Sequence, residues 1–196
     1  LKDGDTLLAL GDEEHPYLFI DSKTGQDVDG DGSPDLLVVL SAPTGESELK
    51  IYSLAEAGPK EVDLGLPAWA VPLSYEDVNG DGAPELVVVD VRPRGFKNWE
   101  VPPVRVVFRK TRGGVWEEAY EGYEEFYNSQ LESLLKAYRM EPNPFKKKGV
   151  ATAYACVLLH MGKEAEAWQE FRRLAEADEG ALMELKAKLF FWEPEE

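Results

Sequence analysis

The chain has 196 residues, 43% of them hydrophobic, enough to bury a core in one generous domain or two small ones. Its 38 acidic residues outnumber 21 basic ones and leave a formal charge of −17. That balance argues against a nucleic-acid partner, which needs a basic footprint, and against anionic membrane surfaces. A single cysteine, Cys156, rules out an internal disulfide framework, and no apolar run approaches the roughly 18 residues of a membrane span, so no membrane insertion is expected.

In chain order, short β-branched runs separated by Gly, Pro, Asp and Ser clusters predict strands at Thr6–Leu10, Tyr17–Ile20, Leu36–Leu40, Leu49–Ser53, Ala68–Leu73, Leu86–Val91 and Val104–Lys110. Near residue 115 the period changes from two to three and four. Tyr120, Tyr123, Tyr127, Leu131, Leu134, Leu135 and Tyr138 then fit one helical face. Pro142 and Pro144 predict a break over Glu141–Lys148. A mostly apolar helix over Val150–Met161, a turn at Gly162 and helices over Ala165–Ala177 and Ala181–Phe191 complete the chain. The pattern predicts an α+β fold. Residues 1–115 form an antiparallel β domain, and residues 116–196 form a helical domain of about four helices.

One acidic string occurs twice in the β part, first from Asp27 and again from Asp77. Positions 1, 3, 5 and 9 carry Asp27, Asp29, Asp31 and Asp35 in the first copy, and Asp77, Asn79, Asp81 and Glu85 in the second. Gly32 and Gly82 stand at position 6, where a sharp reversal is needed. Ser33 and Ala83 stand at position 7, where a backbone carbonyl suffices as a donor. Calcium takes six to eight hard oxygens at about 2.3–2.6 Å, and a tight loop of this spacing can converge such donors on one point. Magnesium is less suited, because it prefers to keep its waters. Two bound calcium ions are therefore expected. The first site should be the tighter one, since it offers four carboxylates against three plus an amide. The bland alternative is a pair of Asp-Gly turns placed for solubility.

The loop is not an EF-hand. Position 12 is Val38 or Val88 where that loop needs a bidentate Glu, and the exit runs through Pro34 or Pro84 into a strand rather than a helix. The string Asp-x-Asp-x-Asp-Gly-x-x-Asp leading into a strand resembles FG-GAP or VCBS repeats, which carry calcium sites in integrin-like β-propellers and in many bacterial secreted proteins. The resemblance covers about residues 17–110. It implies that Asp27, Asp29, Asp31 and Asp35 hold one ion, and that Asp77, Asn79, Asp81 and Glu85 hold the other. It also implies a secreted, periplasmic or cell-surface location, an expectation that the start at Leu1 shares. Two copies cannot close a propeller ring, so the open sheet edges need a cover: the helical half, a protein partner or a second copy of the chain.

Elsewhere, Gly149–Asp178 resembles a single tetratricopeptide hairpin at Ala155, Gly162, Ala167 and Phe171, but departs from it at Leu174 and Glu179. Cys156 and His160 share a helical face, yet two ligands do not make a metal site, so a buried thiol and a satisfied histidine are expected. Lys146–Lys148 reads as a solvated loop or as a basic segment docked on the protein's own acids. No catalytic centre emerges. The expected function is a non-enzymatic calcium-binding module that rigidifies two β loops for adhesion or partner binding. The alternative is a hydrolase-type enzyme with structural calcium and a site between the β and helical parts.

Overall fold

The computed structural model describes residues 10, 15–55 and 58–191. Eight strands form two antiparallel four-stranded sheets, each a simple meander. The first sheet contains β1 (Tyr17–Ile20), β2 (Asp35–Ser41), β3 (Ser47–Ser53) and β4 (Lys60–Glu61). The second contains β5 (Ala70–Glu76), β6 (Glu85–Asp90), β7 (Val104–Lys110) and β8 (Trp116–Glu118). Helices α1 (Glu124–Met140), α2 (Pro144–His160), α3 (Glu164–Ala175) and α4 (Glu179–Phe190) follow. The α+β order predicted from the change of period is therefore present. The strand predicted at Thr6–Leu10 lies outside the described residues except for Leu10.

Each acidic string joins the first and second strands of its sheet, so the repeat in the sequence is a repeat of the whole four-stranded unit. The pairing of Leu37 with Ile51 and of Val39 with Leu49 sets these side chains on one face of the first sheet. Leu37, Leu49 and Ile51 are buried there in the core, with Val28 from the loop. In the second sheet β6 is buried at every position. A strand covered on both faces needs a continuous apolar run, and Leu86-Val87-Val88-Val89 supplies one. The first sheet meets this sheet through β3 on β5, and the helices meet it through α2 on β7. One contiguous cluster of buried residues extends from Val28 to Leu189 through both halves.

Because β8 is short, the first half of β7 would be a bare edge. Helix α1 closes it with side chains. The Gln130 amide accepts from Arg105 N at 2.8 Å and donates to Arg105 O at 3.1 Å, imitating a ninth strand. Beside it the Tyr127 hydroxyl accepts from Val107 N at 3.1 Å and donates to Ala119 O at 3.0 Å. The helical half is thus a cover for an open edge, one of the options left by the sequence.

Several boundaries differ from expectation. The break after α1 is only Glu141–Asn143, because Pro144 begins α2 instead of blocking it, and the Asn143 side chain caps Phe145 N at 2.9 Å. Lys146–Lys148 consequently lie on the first turns of α2. Lys146 pairs with Glu100 at 2.8 Å, and Lys148 stands over the Trp99 ring. Tyr120 precedes α1, whose N-cap is Tyr123. A short 3₁₀ turn, Phe96–Asn98, and the strands β4 and β8 had no prediction.

Candidate metal centre

The two loops share a backbone scaffold. In the first, Asp27 accepts from Gly30 N at 2.6 Å through Oδ1 and from Gly32 N at 3.0 Å through Oδ2. In the second, Asp77 accepts from Gly80 N at 2.8 Å and from Gly82 N at 2.9 Å in the same way. Gly32 and Gly82 have φ of 87° and 91°, a left-handed conformation that side chains other than glycine rarely adopt. The predicted reversal is therefore present in both copies. Ser33 and Ala83 each donate their N–H to the position-5 Asp, at 2.6 and 2.8 Å.

The loops diverge at the acids that point inward. In loop one, carboxylate oxygens of Asp27, Asp29 and Asp35 lie within 4.8 Å of one another, an arrangement that can hold a metal ion. Asp35 is fully buried. Its Oδ2 accepts from Val28 N at 2.6 Å, whereas its Oδ1 has no hydrogen-bond partner. Burial drives the Asp35 pKa up, and the negative charges of Asp29 and Asp27 push it the same way. Such a carboxylate needs either a proton or a cation. Asp31 turns away to accept from Ser53 Oγ at 2.8 Å. The hydrogen bond from Ser33 N and then that of Ser53 hold its pKa below the ordinary value. Behind the loop, the Lys110 ammonium donates to Val28 O at 2.6 Å.

In loop two, no comparable trio of acids gathers among the described residues. Glu85 Oε2 accepts from Val78 N at 2.8 Å, matching the bond of Asp35 to Val28. Its other oxygen accepts from the Tyr123 hydroxyl at 3.0 Å. Burial and this bond push the Tyr123 pKa up to about 12, so the phenol stays protonated and donates. Asn79 accepts from Asp81 N and donates to Asp81 Oδ2 at 3.1 Å. Eight of the ten positions read from the sequence lie in the two turns, and Asp35 and Glu85 begin β2 and β6. The sequence did not point to Ser53, Lys110 or Tyr123, which arrive from distant segments and carry no local signal.

A family model described as an FG-GAP-like repeat matches residues 27–88, a span that opens at Asp27 and closes within β6. This segment resembles an FG-GAP-like repeat. No curated protein and no solved structure matches the chain. The FG-GAP-like segment holds both acidic loops, and the helical half lies outside it.

A second polar cluster lies between the second sheet and the helices, around a cavity of about 170 Å³. His160 binds Asp90 through Nε2 at 3.0 Å and Glu118 through Nδ1 at 2.7 Å. Arg92 clamps Asp90 through Nε and Nη2, donates to Leu189 O and stacks on Trp69. Both imidazole nitrogens are thus engaged by carboxylates, and the expectation of a satisfied histidine holds. Cys156 is buried beside them, and burial raises its thiol pKa, so it carries no reactive thiolate. No described helix is long and apolar enough to cross a membrane.

Proposed function

We propose that this protein is a calcium-binding module in which loop one takes the ion through Asp27, Asp29 and Asp35, and that the ion rigidifies the β1–β2 connection for adhesion or partner binding. The observation that carries the reading is Asp35 Oδ1, a fully buried carboxylate oxygen without a partner, gathered with two further carboxylates. An oxygen-only donor set suits a hard cation, and a loop of backbone turns tolerates the longer bonds of calcium better than the strict octahedron of magnesium. The ion would neutralise the like charges that the fold brings together. A secreted, periplasmic or cell-surface setting is part of the proposal, and it is supported by the FG-GAP-like match. In that setting affinities of about 10⁻⁴ to 10⁻³ M suffice. The partner would be another protein or a second copy of this chain.

Calorimetric titration of chelator-stripped protein, with magnesium as the control, tests the reading. Calcium-specific heat that disappears in Asp35→Asn is expected. No heat at millimolar calcium would sink it.

A further inference from the structure

We infer that loop two is closed by the protein itself, with the Tyr123 hydroxyl bound to the carboxylate oxygen that its counterpart in loop one leaves free, so that the protein binds one calcium ion and not two. This inference rests on calcium binding at loop one.

The position-9 acids correspond atom for atom. One oxygen of each accepts the N–H of position 2, from Val28 or Val78. The other is orphaned in Asp35 and taken by Tyr123 in Glu85. Glu85 is one methylene longer than Asp35, which extends its carboxylate to the residue that caps α1. Position 3 differs as well. In both loops position 3 accepts the N–H of position 5, Asp29 from Asp31 at 2.9 Å and Asn79 from Asp81 at 3.0 Å, but Asp29 also belongs to the loop-one carboxylate trio, whereas the Asn79 amide donates to Asp81. Loop two therefore carries one formal charge fewer, has both Glu85 oxygens occupied by internal donors, and leaves no buried acceptor unsatisfied among the described residues.

The replacement has a structural consequence. Loop one is tied to its surroundings by Ser53 and Lys110, whereas loop two is tied to the first residue of the helical half. What a cation would do for loop two, fixing the β5–β6 connection, the Tyr123 phenol does by joining it to α1. The duplicated loop has become a joint between sheet and helix.

Stoichiometry decides the matter. Calcium calorimetry on the full chain should give one equivalent for the parent protein and none for Asp35→Asn. In Asn79→Asp/Glu85→Asp, which gives loop two the acids of loop one, a second equivalent should appear. Tyr123→Phe combined with Asn79→Asp should do the same by another route, and circular dichroism of each variant checks that it folds. Two equivalents in the parent protein would overturn the inference and leave loop-one binding standing. So would folded variants of both kinds that stay at one equivalent. No binding in the parent protein would instead overturn the reading on which the inference rests.

Discussion

His160 and Asp90 meet at 3.0 Å where the end of α2 crosses the end of β6, and each perturbs the other's proton affinity. Burial opposes a charged imidazole, but the Asp90 and Glu118 carboxylates outweigh it and raise the His160 pKa above 6.5. Burial likewise opposes a charged Asp90, but the hydrogen bonds from His160 and Arg92 prevail and hold its pKa below 3.8. The raised histidine contributes stability that is complete below 6.5 and is lost as pH rises through its folded value. The lowered aspartate contributes stability that is present above 3.8 and is lost as pH falls through its own. In chelator, the melting temperature should therefore be highest between these limits and decline on the alkaline side from above 6.5. His160→Gln should flatten that alkaline decline. An unchanged slope in the variant would assign the pH dependence to other groups.

At Gly149, α2 passes close against the backbone of Glu100. A Cβ there would lie 2.1 Å from Glu100 O and 2.6 Å from its carbonyl carbon, both backbone atoms that cannot swing aside. Gly149→Ala should cost about 1–3 kcal/mol through forced displacement, overriding the helix propensity that alanine normally gains. At about 2–4 °C per kcal/mol for a chain of this size, thermal melting resolves the change. Gly180→Ala is the control, because its Cβ meets only Asp178 Oδ1 at 3.4 Å in the first turn of α4. It should be neutral or stabilising. Equal destabilisation by the two would remove close approach as the cause.

How much of this was legible in the sequence depended on the range over which each feature is encoded. Strands Tyr17–Ile20 and Val104–Lys110 were read to the residue, because local alternation and flanking turn residues determine them. Pro144 was misread because proline both ends a helix and starts one, and Asn143 before it was the signal that distinguishes the two. Strand β8, with three residues, is too short to produce a period. At the loops, 1-3-5-9 spacing encodes oxygen donors locally, so their positions were readable. Whether each donor stays available was not. That depends on Tyr123, which is 38 residues from Glu85, and on Ser53, which is 22 from Asp31.

The edge of β7 rests on two side chains of α1, and their loss should be felt differently. Tyr127 is fully buried, and its hydroxyl serves both Val107 N and Ala119 O. Tyr127→Phe leaves a buried donor and a buried acceptor unpaired at almost constant volume, which should cost about 1–3 kcal/mol. Gln130→Leu strips Arg105 of both backbone partners, but Arg105 is itself exposed and water can replace the amide in part. Its cost should be the smaller of the two. Urea denaturation measures both, and amide exchange at Val107 and Arg105 locates the effect. A larger loss for Gln130→Leu would mean that edge coverage, not burial, sets the energetics.

Calcium removal should loosen loop one selectively. A ligand that binds only the folded state stabilises it by about 2.7 kcal/mol at a hundredfold excess over its dissociation constant. For a chain of this size that corresponds to roughly 5–11 °C in melting temperature. Because the fold draws Asp27, Asp29 and Asp35 together, their mutual repulsion is what the ion relieves. Asp35→Asn removes the orphaned charge, so the variant should lose most of the calcium-dependent rise while melting close to the stripped parent protein when both are in chelator. Amide exchange should slow on calcium addition at Val28 and Gly30, whose N–H groups bond Asp35 and Asp27. It should stay unchanged at Val78 and Gly80 in loop two, where Glu85 and Asp77 accept the same bonds. Equal slowing in both loops would mean that the ion acts on the β part as a whole and not through the Asp35 trio.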